Sequence, residues 1–158
     1  MHADSETVIR KIEYEDLDAA FQLIKNVFQE FVAPDYPQEG IESFYNYFTP
    51  ESSYRRKLAS GKETMYGAYA GDTLAGVLSL SAGGTVSCVF VDGKYHRQGI
   101  GSGLFCTVIR ELKARGESEL NLSASPYAVP FYHALGFRDT GEQSSYKGIV
   151  YTPMKLTF

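Results

Sequence analysis

The chain has 158 residues, with 15 Lys and Arg against 19 Asp and Glu, for a formal net charge of −4. One domain over residues 1–158 accounts for that length, and it buries enough surface to form a core without disulfide or metal staples. The 44% hydrophobic content excludes a disordered chain, and an acidic balance with no Lys/Arg-rich run excludes nucleic acid as a partner.

Residues 1–6 are short and polar, with no apolar stretch of the kind a secretory leader needs. Residues 7–12 read as a strand. Leu17, Ala20, Phe21, Ile24, Val27, Phe28 and Phe31 then recur at steps of three and four, the spacing of one apolar helix face. Pro34 and Pro37 end that helix. Residues 41–48 predict a second, aromatic-rich helix stopped at Thr49-Pro50, and residues 52–60 a third, closed by Gly61.

The pattern changes at Thr64. Residues 64–70 predict a strand, Gly71-Asp72 a hairpin turn, and residues 73–81 a second strand; Gly83-Gly84 turns into a third over residues 85–91. The 19 residues from Thr73 to Val91 carry no charge, but Ser79, Ser81, Thr85, Ser87 and the glycine pair dilute them, so they read as strands and not as a membrane span. Ile100, Leu104, Phe105, Val108, Ile109 and Leu112 mark a helix ending at Gly116. A short strand over 120–123 follows, then a helix over 129–135 between Pro130 and Gly136, then strands from Phe137 onward and over 149–156. The order predicts one α/β domain with a mixed, mostly antiparallel sheet flanked by helices. Cys88 and Cys106 lie in apolar runs with no Cys/His cluster, so they read as buried free thiols of a reducing, cytoplasmic compartment and leave no metal site.

Charge is unevenly spread: residues 1–54 hold 11 acids and 3 bases, residues 55–158 hold 8 acids and 12 bases. The segment 26–54 contains eight aromatics (Phe28, Phe31, Tyr36, Phe44, Tyr45, Tyr47, Phe48, Tyr54), five acids (Glu30, Asp35, Glu39, Glu42, Glu51) and no Lys or Arg. Between residues 89 and 103 a strand runs into a loop that opens a helix through Gly99, Gly101 and Gly103, flanked by Lys94, His96 and Arg97. Backbone N–H groups at a helix N-terminus suit a phosphate; equally, glycines there satisfy backbone geometry alone. The string lacks the Gly-Lys-[Ser/Thr] of a P-loop, and its third glycine falls one place early for a dinucleotide fingerprint.

His96-Arg97-Gln98-Gly99-Ile100-Gly101 resembles the [Gln/Arg]-x-x-Gly-x-[Gly/Ala] signature of the GNAT N-acetyltransferase superfamily, with His96 in place of the first Gln or Arg. Ser125-Pro-Tyr-Ala-Val-Pro-Phe-Tyr-His-Ala-Leu-Gly-Phe137 is similar to that family's Asn-x-x-Ala-x-x-Phe-Tyr-x-x-Leu-Gly-Phe block, with Ser125 where Asn is common. By motif the resemblance covers residues 86–137, by element order residues 7–156.

The resemblance implies acetyl-coenzyme A as donor and an amine as acceptor. It implies that Val89, Phe90 and Val91 meet the pantetheine arm, and that His96, Arg97, Gln98, Gly99, Ile100, Gly101 and Ser102 surround the pyrophosphate. Ser125 falls in the second motif and joins the cofactor side. Tyr132 matches the tyrosine that protonates the departing thiolate; its position beside Val129 and Leu135 also suits plain packing. Phe131 is assigned to the core and His133 to the surface. Family members often place a glutamate base on the central strands, but residues 76–91 hold no Asp or Glu, and Glu119, Glu30 and Glu42 stay unranked.

The acidic, aromatic segment suits a small cationic amine; it also suits a helix core with solvated acidic faces. A non-catalytic acyl-coenzyme A binding or sensing module is the alternative function, and the expected state is monomer or homodimer.

Overall fold

The computed structural model describes residues 7–47 and 52–158. Its elements run β1 (Thr7–Lys11), α1 (Leu17–Val27), α2 (Gln38–Tyr47), α3 (Ser53–Ser60), β2 (Glu63–Ala70), β3 (Thr73–Ser81), β4 (Thr85–Val91), α4 (Ile100–Ala114), β5 (Glu119–Ala124), α5 (Val129–Leu135), β6 (Arg138–Asp139), β7 (Ser144–Tyr146) and β8 (Ile149–Thr157). The eight strands form a sheet in the order β1-β2-β3-β4-β5-β8-β6, with β7 pairing β8. Every pairing is antiparallel except β4 with β5. The mixed, mostly antiparallel sheet expected from the element order is the one observed.

Two apolar clusters cover the two faces of the sheet. One joins α4 and α5 to the strands through Leu104, Phe105, Val108, Leu112, Tyr132 and Phe137. The other joins α1 and α3 through Leu17, Phe21, Ile24, Tyr54, Met65 and Val77. Period-two alternation assigns each strand residue to one face or the other.

The first helix departs from its prediction at Phe28. The α-helix ends at Val27 and widens into a single π-helical turn over Phe28–Val32, ahead of Pro34. Phe28 is fully buried, while Phe31 lies partly exposed against His96 and Tyr127, with ring centroids 4.7 and 5.2 Å apart. A single π turn inside a helix re-aims the side chains that follow it, a device frequent near functional sites. The expected end of the second helix at Phe48, Thr49 and Pro50 lies outside the described residues.

The thiol expectation needs correcting. Cys106 is exposed on α4, and Cys88 is partly buried. Cys106 falls off the face of α4 that carries Leu104, Phe105 and Val108, so an apolar run in sequence is not an apolar face in space.

The approach of α2 to the β7–β8 hairpin requires glycine on both sides. A Cβ on Gly40 would fall inside the Gly148 carbonyl, Gly148 has φ +81°, and Ser43 Oγ donates to the Lys147 carbonyl at 2.9 Å. Gly40→Val should therefore separate helix from hairpin at a cost of about 1–3 kcal/mol, read as a lowered melting temperature; an unchanged Tm refutes the close approach.

Burial pushes Tyr36 and Tyr47 up to about 12, also raises Tyr54, Tyr66 and Tyr132, and pushes the Cys88 thiol to about 12 from an ordinary 9.0. These groups hold their protons more tightly folded than unfolded, so the unfolded chain releases protons first as pH rises. Their stability contribution is complete below the unfolded values and is lost above them. A melting series should stay flat on this account up to pH 9.0 and fall steeply above pH 10.0, where the unfolded tyrosines ionise; a flat profile through that window contradicts it.

Candidate active site

The site is a gap in the sheet. β4 pairs with β5 only at Thr85 with Asn121 and Val86 with Leu122. On its other edge β4 continues to pair with β3 as far as Val91. The pairing register shifts between Ser79 and Leu80, where Ser79 faces Cys88 but Leu80 faces Val86, leaving Ser87 as an extra residue. That bulge bends β4 away from β5. The space that opens is a cleft of about 1410 Å3, lined by Val89, Phe90, Val91, His96, Arg97, Gly99, Ile100, Gly101, Ser102, Ser125 and Tyr132 among others. Every sequence-predicted site residue except Gln98 lies on it; Gln98 instead donates its Nε2 to the Lys94 carbonyl at 3.1 Å.

At the wide end of the cleft the loop after β4 turns into α4. Gly99 occupies the cap position at φ +82°, and Arg97 before it has φ +65°, a left-handed conformation uncommon outside glycine. No side chain caps the helix, and the first intrahelical bond there runs from the Gly103 N–H to the Gly99 carbonyl. The N–H groups of Ile100, Gly101 and Ser102 thus have no partner within the helix, which makes an anion cradle that fits a pyrophosphate. His96 Nε2 lies 2.8 Å from the Val91 carbonyl and ties this loop to the end of β4.

The three glycines have different physical reasons. Gly99 serves the left-handed cap; a Cβ on Gly101 would sit 2.9 Å from Phe131 Cζ, and one on Gly103 3.1 Å from Ile9 Cδ1. Gly101 therefore makes room for α5, and through α5 for Tyr132.

Tyr132 is at once a packed side chain and a residue of the cleft lining. Its ring packs edge-on against Phe105 and Phe137, at centroid distances of 5.8 and 5.6 Å, and it is 7% exposed while still lining the cleft. Burial, with a smaller contribution from nearby Cys88, raises its hydroxyl above the usual tyrosine value, so it stays a protonated donor. Phe131 is corrected: it is 38% exposed and covers Gly101 at the cleft wall. His133 is on the surface as expected, with Nε2 2.7 Å from Asp139 Oδ1.

The opposite wall comes from α1, α2 and the β7–β8 hairpin. Phe28 stacks on Phe44 at 3.7 Å, and both line the cleft with Phe31, Tyr36, Tyr47, Tyr146 and Tyr151. The aromatic part of the expected wall is present; the acidic part is not. Glu30, Asp35, Glu39 and Glu42 are exposed, and no Asp or Glu among the described residues lines the cleft. Glu51 and Phe48 lie outside the described residues. Glu119 forms an ion pair with Lys155 at 3.2 Å, away from the cleft.

Sequence reading missed Glu63. It opens β2 one residue before the predicted start, is 5% exposed, and is the one buried carboxylate among the described residues. Ser79 Oγ donates to its Oε1 at 2.6 Å and Ser87 Oγ to its Oε2 at 2.8 Å. The available signal was the alternation Glu63-x-Met65 opposite Ser79-x-Ser81, which puts the carboxylate on a covered face.

The fold is similar to a GCN5-related N-acetyltransferase from Rhodopseudomonas palustris, with a TM-score of 0.82 at 18% identity over 100% of this chain and 99% of that one. The PaiA N-acetyltransferase of Thermoplasma acidophilum, solved in complex with coenzyme A, gives 0.79 at 22% identity over 97% and 99%. The ribosomal-protein-S18-alanine N-acetyltransferase of Escherichia coli gives 0.64 at 20% over 96% and 94%. No curated protein matches the sequence. The model of the acetyltransferase (GNAT) domain matches residues 32–158, which include the cap glycine Gly99, the parting strands β4 and β5, and Tyr132. This chain belongs to the GNAT acetyltransferase family and is an acyltransferase.

Proposed function

We propose that the enzyme transfers acetyl from acetyl-coenzyme A to the primary amine of a small acceptor that arrives as a cationic ammonium, the chain acting as one N-acetyltransferase domain. The observation that carries this reading is the meeting in one cleft of three unpartnered α4 N–H groups, an unpaired stretch of β4 edge and the Tyr132 side chain. Ile100, Gly101 and Ser102 hold the pyrophosphate through backbone N–H groups, and Arg97 adds positive charge at the same end. From Ser87 to Val91 the strand spans roughly 13 Å, long enough to lie beside an extended, amide-bearing arm. A backbone N–H of that edge stabilises the oxyanion that forms as the amine attacks. Tyr132 gives its proton to the departing sulfur, and the proton that nitrogen sheds after attack restores the phenol.

On the acceptor side, support for a cation comes from the aromatic rings of Phe44, Tyr36 and Tyr47, which line the cleft and are each worth about 0.5–2 kcal/mol to an ammonium. The acidic residues named in the sequence face solvent and lend no such support. Lys147, whose Nζ lies 5.4 Å from the Tyr146 ring, puts a positive charge at this end and favours a monoamine over a polyamine.

Release of free thiol from acetyl-coenzyme A over a panel of primary amines tests the reading. Turnover on at least one amine is expected, with Tyr132→Phe lowering kcat by about 100-fold or more while coenzyme A still binds; coenzyme A binding without turnover on any amine overturns it. Gly101→Leu should displace Phe131 and abolish coenzyme A binding in calorimetry, and retained binding refutes the cradle.

A further inference from the structure

A carboxylate in a protein interior is costly unless a cation or several hydrogen bonds compensate for lost water. Glu63 has no ion pair among the described residues; its two compensating partners are the Ser79 and Ser87 hydroxyls, one on each oxygen. The two serines differ in exposure. Ser79 is fully buried, whereas Ser87 is exposed and lines the cleft, at the bulge where β4 leaves β5. A hydroxyl at that point touches the cleft on one side and a sequestered carboxylate on the other. Every other carboxylate considered as a base faces solvent, away from the cleft lining.

We propose that Ser87 and Glu63 form the path by which the acceptor ammonium loses its proton. Ser87 Oγ takes a proton from the ammonium as its own O–H proton passes to Glu63 Oε2. One N–H bond breaks, one O–H bond forms on Glu63, and Ser87 ends unchanged in charge. The nitrogen lone pair so released attacks the acetyl carbonyl. The Glu63 proton returns to solvent after the product leaves, through Ser87. Ser87 is the group that meets the acceptor, and Glu63 acts through it.

The inference rests on the acetyl-transfer reading, and its test separates the two. Benzylamine and phenylhydrazine share an aromatic body suited to the cleft wall, but at neutral pH the first is an ammonium and the second is neutral. With acetyl-coenzyme A, Glu63→Gln should lower kcat on benzylamine about 100-fold or more, yet on phenylhydrazine by less than about 5-fold, with KM for acetyl-coenzyme A held within about twofold. Glu63→Asp should recover part of the loss. Ser87→Ala should reproduce the same split between amines, with a lowered melting temperature because Glu63 loses one of its two compensating hydrogen bonds. Equal losses on the two amines, or no loss on benzylamine, overturn the proposal and leave acetyl transfer standing. Wild-type enzyme inactive on both these amines and on a wider primary-amine panel overturns acetyl transfer and this path together.

Discussion

A parallel pair of strands that stops pairing after two residues leaves main-chain donors and acceptors without partners, and an interior does not leave such groups unmet. Here the interruption is imposed. The bulge at Ser87 bends β4 while β3 keeps hold of its other edge through Val91, so β4 cannot follow β5. Water or a ligand must then supply the missing partners. An extended amide-bearing arm has donors and acceptors in the same geometry as a strand, which is why the proposed binding surface coincides with the defect in the sheet. The remaining features of the site follow from where this gap begins and ends.

Rigidity on either side keeps the gap open. The α4–α5 cluster holds one face, with Leu104, Val108 and Leu112 fully buried; the α1–α3 cluster holds the other, with Ile24, Tyr54 and Val77 likewise. His96 fastens the cofactor loop to the Val91 carbonyl, and Phe31 reaches across the mouth to His96 and Tyr127. On the acceptor side, the contact of Gly40 with Gly148 sets how near α2 comes to the last hairpin, and so the width of the aromatic wall. Each of these is a packing constraint far in sequence from the residues it positions.

This explains which parts were legible in the sequence. Glycines at caps, the period of α4 and the alternation of β4 are local, and Gly61, Gly99 and Gly136 all take the left-handed backbone that ends or opens a helix. The motif singles out Tyr132, and the fold shows that its ring belongs to the core while its residue lines the cleft. Phe131 and Cys106 were misplaced because burial depends on which way a helix is turned, and the apolar run around each gives no angle. The acids of residues 30–42 were counted as a wall because they share a segment with the aromatics; on a helix the two kinds point to opposite sides. Glu63 was passed over because its partners are 16 and 24 residues away, on two other strands. A cross-strand pair is invisible until register is known.

The sheet also separates the two groups to which the proposed reaction gives proton tasks. Met65 and Val77 belong to the cluster on the α1–α3 face, and Glu63 and Ser79 keep their parity along β2 and β3, so the carboxylate sits on that face. Tyr132 belongs to the cluster on the α4–α5 face. Ser87 and Tyr132 both line the cleft that opens beside β4. Burial holds the thiol of Cys88, next to Ser87 on β4, in its protonated form. In the proposed reaction, the interruption of β4 and β5 is where the group taking a proton from nitrogen and the group giving one to sulfur come to line the same cleft.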